Sequence, residues 1–499
     1  MKNRTLILFG FIALKIILQY LVVHPIYDLQ RDEYLHLDQA KHLAWGYHSL
    51  PPLTSWISWI ILQLGNSYFW VKFFPAVFGA LTLLIVWKAV ESLKGSLYAC
   101  ILTATALTFS SLLRINMLYQ PNSLDILCWT LLYYTFIRFI QTENYKWLYF
   151  MAISFAIGFL NKYNIAFCIL GLLPALLFSE YRKLFLKPQF YLAFLLGLVL
   201  ISPNLVWQFQ HDFPVFKHLK ELQDTQLIHV NRMDFVKEQF LFFLSSLIVI
   251  IAGFISLFTF KPFKPYRLLF LAFTFTIALF IYFKAKGYYA IGLYPIFLAF
   301  GAVYLSYLLQ PGWKKYLRLV PIAIILLLFI PLLDRALPLK TPAAYFKAGK
   351  EHTWEDGKKH PISQDFADML GWQELASKVD SIYKKLPNKE TVFILCDNYG
   401  QAGAINYYTK IKGLKADSFT DDYIDWVNLD RQIKTLIRIK ETENTGSTRD
   451  LSLFKIVRYV GKIENRFARE KDTQLILLSE PKLDLAKLLR TERAAGRLE

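Results

Sequence analysis

Long apolar runs recur from the N-terminus to about residue 337 and constrain the fold more than any other feature of this chain. A helix needs ~20 apolar residues to cross a bilayer, and most of the runs approach that length. Of the 499 residues, 55% are hydrophobic and 17% aromatic, which is too apolar for a soluble protein of this size. The sequence predicts a polytopic all-α membrane protein with about eleven spans, near residues 5–23, 68–90, 97–113, 124–141, 147–161, 164–179, 189–208, 238–260, 267–283, 288–309 and 318–335.

The distribution of charge between the loops predicts their orientation. With a cytoplasmic N-terminus, the loops on that side are rich in Lys and Arg, whereas acids concentrate in the opposite loops. This pattern predicts a multi-pass membrane protein with outward-facing loops at residues 24–67, 114–124, 209–237 and 284–287. The formal net charge of +18 is assigned mainly to topology, so no nucleic-acid partner is expected.

From about residue 340 the composition changes: charges become frequent and apolar runs shrink to strand length. We therefore divide the chain into a membrane module at 1–339 and an extracytoplasmic α/β domain at 340–499. Within this domain the pattern predicts strands at 391–396, 453–460 and 474–478, and helices at 366–386 and 401–408.

The first outward loop carries two adjacent acids, Asp32 and Glu33. The segment 31–45 is predicted to form a helix with Asp28 as its N-cap. A membrane protein has little structural use for clustered carboxylates at a bilayer face, whereas an enzyme that activates a hydroxyl group there needs them. A solvated loop is the alternative interpretation.

A short apolar segment follows Pro51-Pro52, with one apolar face and one polar face. About a dozen residues cannot cross a hydrocarbon core that requires ~20. We predict an amphipathic helix in the headgroup layer, anchored by Trp56 and Trp59. The loop would then run along the membrane surface, where a lipid-linked substrate could be met.

A further polar cluster, at residues 114–125, contains Arg114 and Gln120 and ends at Asp125, which begins the fourth apolar run. A carboxylate in mid-span costs ~2.5–3.5 kcal/mol on insertion scales, and less at the edge. The position of Asp125 permits a mild structural role or a functional one, and acids at membrane depth are functional by default.

Two other outward loops carry polar groups. His211 stands beside Asp212, as a polar pair of the loop or as a substrate contact. Lys284, Lys286, Tyr288 and Tyr289 surround another span junction. They serve either as interfacial anchors or as an anion clamp for a lipid phosphate, because both roles use the same residue types in the same place. The histidine spacings match no compact metal motif.

Several of these segments resemble those of bacterial family 39 glycosyltransferases, the polyprenyl-phosphate-sugar-dependent enzymes of the GT-C fold. This family is related to protein O-mannosyltransferases and to the lipid A aminoarabinose transferase. The segments are Arg31-Asp32-Glu33-Tyr34, Leu43-Ala44-Trp45-Gly46-Tyr47, Pro51-Pro52-Leu53, Gln120-Pro121-Asn122-Ser123-Leu124-Asp125, Pro203-Asn204 with Trp207-Gln208 and His211, and Lys284 with Gly287-Tyr288-Tyr289. Where the aminoarabinose transferases have Glu-Lys-Pro, this chain has Leu50-Pro51-Pro52.

The resemblance implies a membrane glycosyltransferase that moves a sugar from a polyprenyl-phosphate donor to an acceptor hydroxyl on the outer face of the bacterial inner membrane, with inversion at the sugar. It also implies that Asp32 is the catalytic acid of the first outward loop and Asp125 the second acid of the site. A carboxylate within hydrogen-bond reach can accept the proton of the acceptor hydroxyl, so Asp32 is the candidate general base, with Glu33 either supporting it or pointing away. The substrate-binding residues would be Arg31, Tyr34, Arg114, Gln120, His211, Lys284, Lys286, Tyr288 and Tyr289. The partners would be membrane lipids and a glycan, lipid or protein acceptor. The cofactor is left open, with a divalent cation as one alternative.

Two other classes of protein compete with this interpretation. A transporter or flippase of a lipid-linked glycan would also have many spans and a polar cavity. However, the acids here cluster at one bilayer face rather than at mid-depth, and no paired broken helices are evident in two halves. The second alternative is a structural subunit whose loops dock a partner.

Overall fold

A computed structural model describes residues 2–225, 230–441 and 452–494. The chain forms two compact units. Unit 1 consists of residues 1–23, 44–54 and 66–339, and unit 2 of residues 24–43, 55–65 and 340–499. The composition change near residue 340 is therefore also a change of unit, but parts of the first predicted loop belong with the C-terminal region. The predicted loop at 209–237 includes residues 226–229, which lie outside the described residues.

Helices make up most of the described chain up to residue 339. In chain order they are α1 (Lys2–Leu21), α2 (Arg31–Asp38), α3 (Leu53–Gln63), α4 (Tyr68–Ser92), α5 (Leu97–Thr108), α6 (Leu112–Ile115), α7 (Asn122–Thr142), α8 (Lys146–Asn161), α9 (Ala166–Leu177), α10 (Pro188–Gln210), α11 (Pro214–Thr225), α12 (Arg232–Phe242), α13 (Leu247–Thr259), α14 (Arg267–Tyr282), α15 (Pro295–Leu308) and α16 (Leu319–Ala336).

Six helices of the described residues are long and apolar enough to cross a membrane, or up to nine if each of three bent pairs counts as one span. The prediction of a polytopic, mostly helical membrane protein is confirmed at this level. Two predicted spans correspond to α5 and α8, which have 12 and 16 residues and fall short of the ~20 that a straight crossing requires. The number eleven stays a prediction.

The region between α7 and α9 is compact and positions the polar groups of unit 1. α7 begins at Asn122, directly after Pro121, so its first turn contains Asp125. α8 ends at Asn161, and a single 3₁₀ turn, Tyr163–Ile165, leads into α9. Because this connection is so short, the polar residues 161–164 are held close to the start of α7.

The C-terminal region is an α/β domain, as the sequence predicts. Its elements are α17 (Pro342–Lys347), β1 (His352–Thr353), β2 (Lys359–His360), α18 (Gln364–Ala367), α19 (Trp372–Lys384), β3 (Val392–Cys396), α20 (Tyr399–Tyr408), β4 (Asp417–Ser418), α21 (Tyr423–Trp426), β5 (Thr435–Lys440), β6 (Phe454–Lys462), β7 (Gln474–Pro481) and α22 (Leu485–Ala494). A five-stranded sheet has the order β4-β3-β5-β7-β6. β3 pairs in parallel with β4 and β5, whereas β7 is antiparallel to β5 and β6.

One face of this sheet carries a closed apolar core, with Phe393, Leu436, Phe454 and Leu478 buried against Leu485 and Leu489 of α22. The three predicted strands and the helix at 401–408 are confirmed within a few residues. The predicted helix at 366–386 begins only at Trp372, because Gly371 has a left-handed φ of 86° that interrupts it. The central strand β5 was not predicted. Its basic residues Arg438 and Lys440 obscure the apolar pattern, although Arg438 forms an ion pair with Asp397.

α2 differs from its prediction in length and in its cap. It ends at Asp38 and continues only as a 3₁₀ turn, Gln39–Lys41. The prediction of Asp28 as N-cap is wrong. Gln30 caps the helix in a capping box, in which its side chain accepts from the Asp32 N–H while Glu33 Oε2 accepts from the Gln30 N–H at 2.6 Å. By contrast, α3 has the bounds that the amphipathic pattern predicts.

Asp28 binds a different helix. Its Oδ2 accepts from the backbone N–H groups of Trp372 at 3.0 Å and Gln373 at 3.3 Å. These N–H groups open α19 and have no partner inside the helix, so Asp28 acts as a cap supplied by a distant segment. Burial raises the pKa of Asp28, and these hydrogen bonds act in the opposite direction. The loop that precedes α2 is thereby held to the C-terminal domain within unit 2.

Candidate active site

Asp32 lies in the first turn of α2 with a half-buried side chain. Its Oδ1 accepts a hydrogen bond from the Tyr399 hydroxyl at 2.8 Å. Tyr399 is the first residue of α20, so the loop after strand β3 supplies this contact. A carboxylate that is oriented by a phenol and still partly exposed is suited to accept a proton.

The neighbours of Asp32 make mainly structural contacts within unit 2. The Arg31 guanidinium lies over the Tyr399 ring, 4.6 Å from its centroid, and the Arg31 N–H donates to the Asp368 carbonyl at 3.1 Å. Glu33 is fully buried and closes the capping box of α2. Tyr34 is also fully buried and packs edge-to-face on Trp372 at 5.7 Å. Catalytic support by Glu33 and substrate binding by Arg31 and Tyr34 stay predictions.

A second buried acid of unit 2 stands near this turn. Asp368 is 5% exposed, and its carboxylate pairs with Arg469 at 3.2 Å. Burial raises the pKa of Asp368 to about 7, although Arg469 and Arg31 act against the shift. The surroundings of Arg31 therefore include a carboxyl group that titrates close to neutral pH.

In unit 1 the central acid is Asp125, which is 5% exposed. Its Oδ1 accepts from the Trp129 indole N–H at 3.0 Å, one turn along α7. Its Oδ2 accepts from the Asn164 amide at 3.1 Å, and the same amide donates to the Tyr289 carbonyl at 2.9 Å. The structure thus brings Asp125 and Tyr289, both predicted site residues, into one network.

Lys162 belongs to the same network but was not singled out from the sequence. Its ammonium donates to Asn122 Oδ1 at 2.7 Å. It also lies over the rings of Tyr289 and Tyr288, at 4.6 and 5.1 Å from their centroids. Lys162 interacts electrostatically with Asp125, which attracts it, and with Lys286, which repels it. The predicted residue Lys286 is therefore within electrostatic range of this cation.

The signal for Lys162 was the run Asn161-Lys162-Tyr163-Asn164 between two apolar runs. Four consecutive residues with polar groups at a predicted span junction mark the same kind of position as the acids and lysines of the other outward loops. The structure gives each of them a partner: Asn161 donates to the Pro121 carbonyl at 2.8 Å and Tyr163 to Asn204 at 3.1 Å.

Of the other four predicted residues of unit 1, one joins this network and three make other contacts. Gln120 accepts from Asn122 at 3.0 Å and so joins the network of Lys162. Arg114 donates to the Ala336 carbonyl at 2.8 Å. His211 is exposed and stacks on Trp207, with ring centroids 4.1 Å apart. Lys284 adopts a left-handed φ of 52° in the turn after α14. Substrate binding by Gln120, Arg114, His211 and Lys284 stays a prediction.

Within the described ranges, no group of three or more His, Cys, Asp or Glu side chains is arranged to hold a metal ion. The four cysteines, Cys100, Cys128, Cys168 and Cys396, are free and buried.

Comparisons with known proteins point in one direction. A family model described as dolichyl-phosphate-mannose-protein mannosyltransferase matches residues 49–207. The lipid A galacturonosyltransferase RgtD of Rhizobium johnstonii is 20% identical over 203 residues, which are 39% of this chain and 43% of the relative. The chain thus spans less than half the length of this curated relative.

Solved structures match over far more of the chain. ArnT from Cupriavidus metallidurans, solved bound to undecaprenyl phosphate, superposes with a TM-score of 0.61 at 11% identity. The match covers 95% of this chain and 98% of ArnT. The chain has the GT-C fold.

An oligosaccharyltransferase from Archaeoglobus fulgidus matches with a TM-score of 0.50 at 11% identity, over 87% of this chain and 68% of that enzyme. All of these relatives and neighbours are glycosyltransferases. The resemblance stated from the sequence motifs is confirmed, and the proteins that this chain resembles belong to the predicted class of enzyme.

Proposed function

We propose that this protein transfers a sugar from a polyprenyl-phosphate donor to a hydroxyl group of an acceptor at the outer face of the bacterial inner membrane, with Asp32 as general base. The observation that carries the proposal is the environment of Asp32 in a chain of GT-C fold. This carboxylate is half-buried, oriented by Tyr399 and next to Arg31. Similarity to ArnT, which was solved bound to undecaprenyl phosphate, supports the lipid-phosphate donor.

The reaction requires one proton to move and one bond to break. Asp32 accepts the proton of the acceptor hydroxyl as its oxygen attacks the anomeric carbon of the sugar. The bond between that carbon and the phosphate oxygen breaks, and polyprenyl phosphate leaves with the bonding electron pair. Because the displacement is direct, the anomeric configuration inverts, in contrast to the covalent intermediate of a retaining pair of acids.

The leaving phosphate gains negative charge and needs fixed donors. In unit 1 the groups of suitable chemistry are Lys162, Lys286 and the hydroxyl of Tyr288, the first two within electrostatic range of each other. Lysine acts there as a point charge, and a tyrosine hydroxyl as a hydrogen-bond donor. Asp125 would hold Lys162 by charge attraction and Asn164 by its hydrogen bond at 3.1 Å. We propose that this network of unit 1 binds phosphate.

The experiment uses the purified protein in liposomes, with undecaprenyl phosphate that carries a radiolabelled sugar. Galacturonosyl, mannosyl and aminoarabinosyl donors are each offered with lipid, glycan and protein fractions of a bacterial envelope. We expect label on one acceptor fraction, together with an equal amount of free undecaprenyl phosphate. The product should have the anomeric configuration opposite to that of the donor by NMR.

The competing transport function predicts a different result. If label crosses the bilayer on intact donor while no fraction becomes labelled with any donor, the transferase proposal is wrong. A product with retained configuration would leave the enzyme class intact and contradict the direct displacement.

A further inference from the structure

The C-terminal domain contributes one hydroxyl group to the proposed base. Tyr399 opens α20, directly after the turn that follows strand β3. Its hydroxyl donates to Asp32 Oδ1 at 2.8 Å, while its ring is covered by the Arg31 guanidinium at 4.6 Å. Both partners of this hydrogen bond, the phenol and the carboxylate, belong to unit 2. The hydroxyl of Tyr399 is therefore aimed at Asp32, and its ring cannot rotate away without losing the stacking.

A network of hydrogen bonds holds the start of α20 in place. Asn398 is the N-cap of α20 and accepts from the Gln401 N–H. The amide of Asn398 donates to Glu441 at 2.6 Å and to Glu470 at 3.1 Å. Glu470 also accepts from the Gln401 side chain at 2.6 Å. This network fixes the turn on which Tyr399 stands.

Two glycines bring α20 close to α2. A Cβ atom added at Gly400 would lie 2.6 Å from Arg31 Cγ, and one added at Gly403 would lie 2.7 Å from Tyr34 Cβ. Both distances are too short for real carbon atoms, so the two helices can approach to this extent only because these positions have no side chain. The glycines are three residues apart, which places them on one face of α20. The close approach makes the 2.8 Å hydrogen bond between Tyr399 and Asp32 possible.

From this geometry we infer that Tyr399 is a positioning residue for Asp32, acting from the C-terminal domain on the general base. The inference rests on the proposed role of Asp32. Tyr399 binds one carboxylate oxygen and so fixes the rotation of the carboxyl group about its χ2 torsion, which is otherwise broad. Orientation of a base relative to the hydroxyl proton contributes to the rate of proton transfer rather than to the binding of donor. The C-terminal domain is thereby a part of the catalytic apparatus.

The test is Tyr399→Phe, which keeps the ring, its packing and the Arg31 stacking and removes only the hydroxyl. We expect kcat to fall about 10- to 100-fold, the effect of one lost hydrogen bond to a charged group, while KM for the donor changes less than about threefold. The matched control is Tyr407→Phe on the same helix, whose ring packs against Tyr34 at 5.9 Å. This control should keep wild-type kcat, and both variants should unfold at the wild-type temperature.

A double-mutant cycle separates positioning from an independent role. Combined with Asp32→Asn, the Tyr399→Phe change should produce no further loss in single-turnover rate, because its effect passes through the carboxylate. Wild-type kcat in Tyr399→Phe, or losses that multiply in the double variant, would overturn the inference while leaving Asp32 as base. Near-normal turnover of Asp32→Asn alone would instead overturn the proposed function, so the two failures are distinguishable.

Discussion

Two aspartates that the sequence assigns to the site lie in different environments. Asp125 is at the start of α7 in unit 1, and Asp32 is in the first turn of α2 in unit 2. Asp125 is 5% exposed, with one oxygen bound by Trp129 and the other by Asn164. Asp32 is half-buried, and its Oδ1 accepts from the Tyr399 hydroxyl. Asp125 is thus satisfied by its surroundings, whereas Asp32 remains partly accessible to a substrate.

This contrast indicates different roles for the two acids. An acid with both oxygens bound by fixed donors organises its neighbours, because removing it leaves those donors without an acceptor. A partly accessible acid can exchange a proton with a substrate. Four changes at carboxyl groups are considered from the largest expected effect to the smallest, and those at positions 32 and 125 test the contrast directly.

Asp32→Asn should lower kcat by about 10²- to 10⁴-fold, the usual contribution of a general base. The amide can still accept from Tyr399, so the free energy of unfolding should stay within about 0.5 kcal/mol of wild type. Turnover with the labelled donor and thermal unfolding in detergent are the measurements. Asp430→Asn is the matched control, since Asp430 is an exposed acid of the same unit that pairs with Arg490 at the surface. Near-normal turnover of Asp32→Asn would remove the base role.

Asp368 should make the stability of the protein depend on pH. Its folded pKa of about 7 lies above the unfolded value of 3.8. Between these two pH values the folded state holds a proton that the unfolded state has lost. The contribution of Asp368 to stability is therefore fully present below about pH 4 and is lost, by on the order of a few kcal/mol, as pH rises through about 7. Asp368→Asn should remove this slope in thermal unfolding curves between pH 5 and 8. The exposed neighbour Asp365→Asn should retain it, and an unchanged slope in Asp368→Asn would contradict the assignment.

Asp125→Ala should destabilise unit 1 by about 1–3 kcal/mol, because the Trp129 and Asn164 donors lose their acceptor in a buried place. Asp125→Asn keeps one acceptor oxygen and should cost less. Thermal unfolding distinguishes the two, with Asp32→Ala as the comparison from unit 2, where the half-buried acid should cost under ~1 kcal/mol. Equal losses of stability from the alanine substitutions at positions 125 and 32 would contradict the contrast between the two regions.

Glu33→Gln should have the smallest effect. The Gln carbonyl oxygen can replace the carboxylate in the capping box, so stability should change by less than about 0.5 kcal/mol, and kcat should fall far less than in Asp32→Asn. Glu33→Ala removes the contact to the Gln30 N–H and should cost about 0.5–2 kcal/mol. If Glu33→Gln lowered kcat as much as Asp32→Asn does, the catalytic carboxylate would be Glu33.

Much of the fold could be predicted from the sequence because apolar runs report burial in lipid directly. The helical membrane module, the C-terminal α/β domain and the short helix α3 follow from hydropathy and periodicity. Strand β5 was missed because Arg438 and Lys440 stand in its six residues, and only the ion pair with Asp397 explains their place in a central strand. The cap of α2 was misassigned because Asp28 and Gln30 are both local candidates, and Asp28 is occupied by α19.

The candidate site was predictable in its residue types and less so in its partners. Asp125, Gln120, Tyr288 and Tyr289 were identified from their positions at span ends, and the structure places each of them in the network of Lys162 and Asn164. Lys162 was missed because its signal is a four-residue junction between two short apolar runs. Its neighbours include Tyr289, more than a hundred positions away, which no local pattern reveals.

The sequence by itself determined that this protein lies in a membrane, that acids and lysines collect at predicted span ends, and that it resembles lipid-phosphate-dependent glycosyltransferases. These properties are local or compositional, so a linear pattern carries them. Only the tertiary structure decided that Tyr399, 367 positions from Asp32, donates to its carboxylate. That choice depends on how α20 packs against α2, and packing is set by the shapes of side chains that meet only after the chain has folded.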